Sequence, residues 1–401
     1  MHGWQMTLFF SLAILLWTLL HAYAALRLIV PSSLKGMARK AAWALLGLSW
    51  LFVPAVEFVN HASGPALPLA RQGAWAGYAL MGFASILFPA VLLRDLLWGV
   101  ASVFRLSPRE PAARRRAFNT TSLCVAGLAA ALAAAALVGG ALPPRVVTVD
   151  LPVRGLPAPL NGFTIAFISD LHVGGVGTRR LVEQVVERIN AAPPDVVAFG
   201  GDLADGAVDR LRDDVAPLAG LKARAGRLFV IGNHDYFRDP EGWLREVRGM
   251  GFTVLTNSHR VYRRDGATVV IAGIPDYQMS GMFDSRYPAE PATALRGAPR
   301  ADVRILLSHS PAAAPEAAAG NKVAGPPASL AAGYDFQLSG HSHGGQFYPW
   351  KFVVDAIPWF KPGFHEAGKM RLYVMQGTGT WGPPMRLGTR REIVFFRLVR
   401  G

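Results

Sequence analysis

The sequence predicts a protein of two parts, a region of four transmembrane helices followed by an α/β domain. Three observations lead to this fold class. Four long apolar stretches lie before residue 143, strand and helix patterns alternate after residue 163, and short groups of Asp, Asn and His follow several predicted strands. A chain of 401 residues is long enough for two or three domains.

The apolar stretches are residues 4–26, 41–59, 73–93 and 117–142, and Glu57 is the one acidic or basic residue inside them. Each is close to the ~20 residues that a helix needs to cross a bilayer. Buried helices of a soluble domain are the alternative, but such helices normally keep a polar face. A cleaved signal peptide is the alternative for the first stretch. No basic segment precedes that stretch and its apolar run is too long, so a retained span is expected.

The basic residues have a topological explanation. The net charge is +14, and the acidic and basic residues are unevenly distributed along the chain. Lys and Arg are concentrated in residues 27–40 and 94–116, after the first and third stretches. The positive-inside rule places both loops in the cytoplasm and everything after the fourth stretch outside. The sequence therefore predicts an integral protein of the plasma or inner membrane, with the lipid bilayer as its partner and no role for nucleic acid.

Composition changes sharply between the two parts. Residues 143–162 are rich in proline and contain one strand-like run, VVTVDLPV, which we expect at the edge of a sheet. The predicted boundaries are 1–142 for the transmembrane domain, 143–162 for the linker and 163–401 for the α/β domain. The single cysteine, Cys124, excludes an intrachain disulfide and a cysteine-based metal site.

The second part alternates between strand and helix patterns. FTIAFISD, PDVVAFGGD and RLFVIGNHD read as buried strands, and TRRLVEQVVERINA has its apolar residues on one helical face. More strand-like runs follow, including VRILLSHS and REIVFFRLV. This order is typical of an α/β domain with one or two sheets.

Polar side chains follow five of these strands. Carboxyl ends of strands are where open α/β sheets place their sites, so we expect these side chains to converge. One such group alone is often only a turn, but five in succession predict a metal centre, since carboxylates, imidazoles and amides bind Mn, Fe or Zn. Seven candidate ligands suffice for two ions that share a carboxylate. The candidate ligands are Asp170, His172, Asp202, Asn233, His309, His341 and His343.

In this order, DLH, GGD, GNHD, SHS and GHSHGG resemble the signature blocks of the calcineurin-like metallophosphoesterases. SGHSHGGQ and GTGTWGPPMRLGTRREI resemble the membrane-linked YkuE-like subgroup. The resemblance covers residues 163–401 and implies a two-sheet β sandwich flanked by helices. It implies one ion on Asp170, His172, Asp202 and His343, and a second on Asp202, Asn233, His309 and His341.

The resemblance also implies a mechanism. A metal-bridged hydroxide would attack phosphorus, and His234 would stabilise the transition state or protonate the leaving group. We expect Asp235, the next residue, to orient the His234 imidazole. The predicted function is therefore hydrolysis of a phosphomonoester or phosphodiester.

The substrate stays open at this point. The aromatic-rich segment 347–364 is either local core packing or a face that enters the bilayer interface, and the second interpretation favours a phospholipid. Two alternatives remain. One is a pyrophosphatase of a nucleotide-linked lipid precursor of the UDP-diacylglucosamine type, and the other is a non-catalytic, metal-stabilised scaffold.

Overall fold

The computed structural model describes residues 3–63, 68–282, 287–319 and 333–401. The chain divides into two compact units. The first comprises Met1–Ala141 together with Pro383–Leu387, and the second comprises Leu142–Gly382 and Gly388–Gly401.

Four long helices make up most of the first unit. They are α1 (Gly3–Ala24), which continues into a π-helical turn (Ala25–Ile29), α2 (Gly36–Ser63), α3 (Pro68–Val103) and α4 (Pro111–Ala141). Within the described residues, three segments are long and apolar enough to cross a membrane, namely Ser11–Ile29, Arg71–Val103 and Pro111–Ala141.

Three of the four predicted spans are therefore supported as helices that could cross a membrane. The second predicted span, 41–59, falls on α2, which is not among the three. The last part of that span runs into residues 57–63, whose side chains lie outside the described residues.

A polar cluster joins three helices at one end of this unit. The Tyr23 hydroxyl and the Arg27 guanidinium each donate to the Asp95 carboxylate over 2.6 Å. Arg94 also donates to Asp95 over 2.6 Å, and it donates to the hydroxyl of Ser122 on α4. The chain segments that follow α1 and lead out of α3 therefore lie at the same end of the bundle.

The second unit contains two six-stranded mixed sheets. The first has the strand order β1-β12-β2-β3-β4-β5, in which β2 to β5 run parallel and β12 pairs antiparallel with β2. Its strands are β1 (Arg145–Val153), β2 (Thr164–Ile168), β3 (Val196–Phe199), β4 (Gly226–Phe229), β5 (Thr253–Val254) and β12 (Glu392–Arg400). The strand predicted within residues 143–162 is thus β1, and it lies at the sheet edge as expected.

The second sheet has the order β10-β11-β9-β8-β7-β6, with β7, β8, β9 and β11 parallel. Its strands are β6 (Ser258–Arg264), β7 (Ala267–Gly273), β8 (Val303–Leu307), β9 (Phe336–Ser339), β10 (Gly363–Ala367) and β11 (Met370–Val374). The antiparallel pairs β6–β7 and β10–β11 close its two edges.

Side chains that alternate along each strand fill two different layers, one between the sheets and one under the outer helices. Ile165 and Phe167 of β2 pack between the sheets with residues such as Val269 of β7, whereas Ile168 packs against the outer helices. Successive side chains point to opposite faces of a strand, so a strand covered on both faces is apolar throughout. The outer helices are α5 (Arg179–Asn190), α6 (Val208–Val215), α7 (Asn233–Arg238), α8 (Pro240–Gly249), α9 (Tyr277–Met282), α10 (Pro291–Ala294) and α11 (Ala314–Ala319). The predicted two-sheet sandwich flanked by helices is confirmed.

Candidate metal centre

The predicted ligands follow strands that are neighbours in the two sheets. Asp170, Asp202 and Asn233 come after β2, β3 and β4, which lie side by side in the first sheet. His309 and His341 come after β8 and β9, which are adjacent in the second sheet. The Nδ1 atom of His309 lies 2.8 Å from the carbonyl oxygen of Gly200, so the two sheets meet at this rim.

A first group of ligand atoms comes from Asp170, His172 and His343, all of them buried. The Nε2 atoms of His172 and His343 are 3.0 Å apart, and the Nε2 atom of His343 lies 3.6 Å from a carboxylate oxygen of Asp170. The ligand atoms of the three residues lie within 4.8 Å of one another, which is a spacing that one metal ion can span.

A second group comes from Asp202, His309 and His341, with the Asn233 amide beside them. The Asn233 Oδ1 atom lies 2.9 Å from Nδ1 of His341 and 3.1 Å from Nε2 of His309. The same Nε2 atom is 3.1 Å from Oδ2 of Asp202. These four residues therefore present oxygen and nitrogen atoms to one small volume.

The side chain of Asp202 lies between the two groups. Its Oδ2 atom is 3.1 Å from Nε2 of His309 in the second group and 3.6 Å from Nε2 of His172 in the first. The structure thus brings all seven sequence-predicted ligand residues together.

The orientation of two imidazoles fits bound cations. The Nδ1 atoms of His172 and His309 face acceptors, the Asp205 carboxylate at 2.9 Å and the Gly200 carbonyl at 2.8 Å. An acceptor at Nδ1 favours the tautomer that carries its proton there, so the Nε2 lone pair of each ring points into the centre. Converging lone pairs and carboxylate oxygens form a donor set suited to divalent transition metals.

The backbone supports the same interpretation. Five of the seven predicted ligands have positive φ angles in the left-handed region. Each such conformation costs a residue other than glycine about 1–3 kcal/mol, and strain of this kind concentrates at functional sites. The five are Asp170 (60°), His172 (47°), Asp202 (56°), His341 (70°) and His343 (50°).

Two glycines let the loops approach one another closely. A Cβ atom on Gly340 would collide with the Ser169 hydroxyl and the Asp170 carboxylate. A Cβ atom on Gly232 would collide with the Asp202 carboxylate and backbone. Gly340 and Gly232 are therefore positions where no larger residue fits without displacing a neighbouring loop.

Burial and neighbouring charges determine the protonation states of the histidines at the candidate metal centre. Burial lowers the pKa of His341 to about 3, and the charge of His309 adds to this effect. Burial also opposes the charged form of His309, yet the Asp202 carboxylate raises its pKa to about 10. A proton and a cation compete for the same ring nitrogen, so metal binding at His309 releases a proton.

Asp205 is absent from the residues that the sequence predicts. Its Oδ1 atom lies 2.9 Å from Nδ1 of His172 and 2.8 Å from Nδ1 of His234. Burial opposes ionisation of Asp205, but the charges of the two histidines hold its pKa well below the usual range. The sequence signal was available, since Asp205 follows Asp202 by three residues in GDLAD, but its contacts depend on the fold.

The prediction that Asp235 orients His234 is wrong. The buried Asp235 carboxylate accepts hydrogen bonds from the backbone amides of Gly232, Asp202 and Leu203 at 2.9–3.0 Å. On a helix, consecutive residues are about 100° apart, so on α7 Asp235 faces inward and holds the loops that carry Asp202 and Asn233. Asp205 takes the predicted place beside His234.

The comparisons with known proteins agree with this site. A family model described as calcineurin-like phosphoesterase matches residues 163–345. A Bacillus subtilis protein, the uncharacterized metallophosphoesterase YkuE, is 30% identical over 290 residues, which cover 68% of this chain and 95% of that protein. The chain therefore belongs to the calcineurin-like phosphoesterase family. The predicted family is confirmed, and the predicted class of enzyme, a phosphoester hydrolase, agrees with the name of that family.

The chain spans a smaller share of other similar proteins. A transmembrane protein with metallophosphoesterase domain from Danio rerio is 37% identical over 292 residues, which cover 71% of this chain. The chain spans 64% of that relative's length. A 5′-nucleotidase precursor from Thermus thermophilus is 18% identical, with a TM-score of 0.36 over 55% of this chain and 49% of that one.

Proposed function

We propose that this protein is a membrane-anchored phosphoesterase that holds two divalent metal ions, Mn, Fe or Zn, and hydrolyses a phosphomonoester or phosphodiester. The single observation on which the proposal depends is the position of Asp202. Its Oδ2 atom lies near ligands of both groups, 3.6 Å from His172 and 3.1 Å from His309. A carboxylate shared in this way suits two cations ~3.5–4 Å apart.

When bound, the two cations would lower the pKa of a water molecule and offset negative charge on the phosphoryl oxygens. The chain itself supplies the proton for the leaving group. Burial works against a charged His234, but the charges of Asp202 and Asp205 raise its pKa to about 9. Asp205 is not a proposed metal ligand, so its carboxylate continues to favour the protonated imidazole when Asp202 binds cations. Asp205 engages Nδ1, and Nε2 is therefore the atom that gives the proton to the leaving oxygen.

The substrate class we propose is a phospholipid. Helix α12 (Trp350–Ala356) has no buried residue, and the side chains of Trp350, Phe352 and Val353 are 47–66% exposed. Phe347, in contrast, is buried. Of the two interpretations of residues 347–364, core packing thus holds for Phe347, whereas the exposed aromatic face supports contact with a lipid surface.

Anchoring in a bilayer, of the plasma or inner membrane, is supported by the three apolar helices and by relatives named as transmembrane proteins. The polar cluster around Asp95 brings residues 27 and 94 to the same end of the helix bundle. This supports one common side for the two basic loops, and we place that side in the cytoplasm and the catalytic unit outside.

An Asp202→Asn variant tests the proposed function. The purified full-length protein should bind about two equivalents of metal by mass spectrometry and hydrolyse p-nitrophenyl phosphate or its bis ester with Mn²⁺. The variant should lose at least one equivalent and ~10²-fold or more in kcat, because a bridging ligand serves both ions. Asp150→Asn is the matched control, since Asp150 lies exposed in an ion pair with Arg397 and such pairs contribute little.

The same assay separates the alternatives. A protein that binds metal and hydrolyses none of a panel of phospholipids, nucleotide esters and nitrophenyl esters would be a metal-stabilised scaffold. Preference for a nucleotide-linked diphosphate would favour the pyrophosphatase. Failure to bind metal would contradict the proposal altogether.

A further inference from the structure

Two exposed aromatic rings lie against the histidine to which we assign the proton transfer. The ring of Phe237 is centred 5.8 Å from that of His234, and the ring of Trp381 is centred 5.4 Å from it. Both contacts are edge-on, with interplanar angles of 85° and 70°. Phe237 is 53% exposed and Trp381 is 52% exposed, although five of the seven candidate ligands beside them are buried.

The position of Trp381 is determined by a buried side chain from the metal-ligand loop. The Gln346 amide accepts a hydrogen bond from the Trp381 backbone nitrogen and donates one to the Trp381 carbonyl oxygen, each over 2.8 Å. Gln346 is buried and follows His343 by three residues. A residue in this position orients the tryptophan relative to the ligands.

Phe237 is placed by helix geometry. It lies three residues after His234 on α7, and residues with this spacing share one helical face. The two rings therefore come from distant parts of the chain and meet at one imidazole. Large aromatic side chains left half exposed beside a buried polar centre are suited to contact with an apolar ligand group.

We propose that Trp381 and Phe237 form a subsite for an apolar leaving group, such as the alkyl or acylglycerol part of a phosphoester. The inference rests on the proposed function. In the reaction, the water oxygen forms a bond to phosphorus, and the bond from phosphorus to the leaving oxygen breaks with its electron pair on that oxygen. The leaving oxygen takes a proton from the His234 imidazole, and the proton of the attacking water passes to solvent. An apolar group carried by the leaving oxygen would then lie beside the two rings that contact His234.

Alkyl phosphates of different length test this subsite, because ethanol and octanol are leaving groups of nearly equal acidity. The full-length enzyme in lipid nanodiscs should prefer octyl phosphate to ethyl phosphate in kcat/KM. Trp381→Ala and Phe237→Ala should each reduce this preference by about tenfold, as expected for loss of apolar contacts in a pocket. Trp381→Phe should keep most of it. Partitioning of substrate into the nanodisc is common to all variants and cancels.

Binding provides a readout independent of turnover. By calorimetry, octylphosphonate should bind the wild-type protein more tightly than ethylphosphonate, and both alanine variants should lose about tenfold of that difference. Trp75→Ala is the matched control, since Trp75 is 48% exposed on α3 of the other unit. Chain-length preference that is unchanged in both variants would overturn the subsite. Absence of any hydrolysis by the wild-type protein would instead contradict the proposed function.

Discussion

At the residue scale, the proposed mechanism depends on the orientation of a single imidazole, that of His234. His234 is held at Nδ1 by Asp205, the same carboxylate that holds the ligand His172. One side chain thus connects the metal centre to the proton donor. Loss of Asp205 is expected to affect both, whereas loss of His234 should affect proton transfer alone.

Replacement of His234 by alanine should therefore leave metal binding intact and reduce kcat by ~10²–10⁴-fold, the usual contribution of general acid catalysis. Metal content by mass spectrometry and turnover with an alkyl phosphate check the two parts separately, because an alkoxide leaving group needs a proton whereas p-nitrophenolate leaves without one. His365→Ala serves as the control, because His365 lies on β10 and its one hydrogen-bond partner among the described residues is the carbonyl oxygen of Lys361. Full turnover in the His234 variant would remove this residue from the mechanism.

At the element scale, the site is built by the short loops that leave five parallel strands. These loops hold five ligands in left-handed backbone conformations and keep glycine where two loops touch. The strands contribute rigidity, since β3, β8 and β9 are buried along their whole length and β2 is buried at every residue except Thr164. A substitution in one loop should therefore displace a ligand while the sheet itself stays folded.

Gly340→Ala provides a test at this scale. The added methyl group would collide with the buried Asp170 carboxylate, so we expect weaker metal binding and a stability loss of about 1–3 kcal/mol, as for overpacking in cores. Metal titration and chemical denaturation measure the two effects. Gly249→Ala is the matched control, because a Cβ atom at Gly249 meets nothing within 4 Å. Equal metal affinity in both variants would show that the Asp170 loop tolerates the displacement.

At the scale of the whole molecule, the chain joins a helical unit to a phosphoesterase fold. The first unit has three helices able to cross a membrane among its described residues, and the second carries the complete set of predicted ligands. The side of the membrane on which the second unit lies decides which phosphoesters it can meet. A nucleotide-linked precursor made in the cytoplasm requires the cytoplasmic side.

Reporter fusions after Gly401 test the proposed orientation. Alkaline phosphatase, which is active only outside the cytoplasm, should be active there, and a fluorescent protein that matures only in the cytoplasm should stay dark. The same reporters placed after residue 107, in the second basic loop, should give the reverse result. A fluorescent C-terminal fusion would contradict the orientation and favour a cytoplasmic substrate.

Local sequence patterns determined much of the fold class and of the candidate metal centre. Apolar runs of membrane length, period-two burial and polar residues at strand ends are encoded within a few residues, so the fold class and all seven candidate ligands were predictable. The resemblance in DLH, GGD, GNHD, SHS and GHSHGG supplied the family. The second predicted span lies on α2, which is not among the three helices that are long and apolar enough to cross a membrane within the described residues.

Only the tertiary structure decided which side chains meet. Asp205 and Asp235 are both acidic residues near a signature block, yet one contacts two histidines and the other contacts four backbone amides. Phe237 and Trp381 are separated by more than 140 residues and still meet at one ring. Such contacts depend on the conformations of loops that follow distant strands and meet at one edge of the two sheets. No local pattern in the chain specifies those conformations.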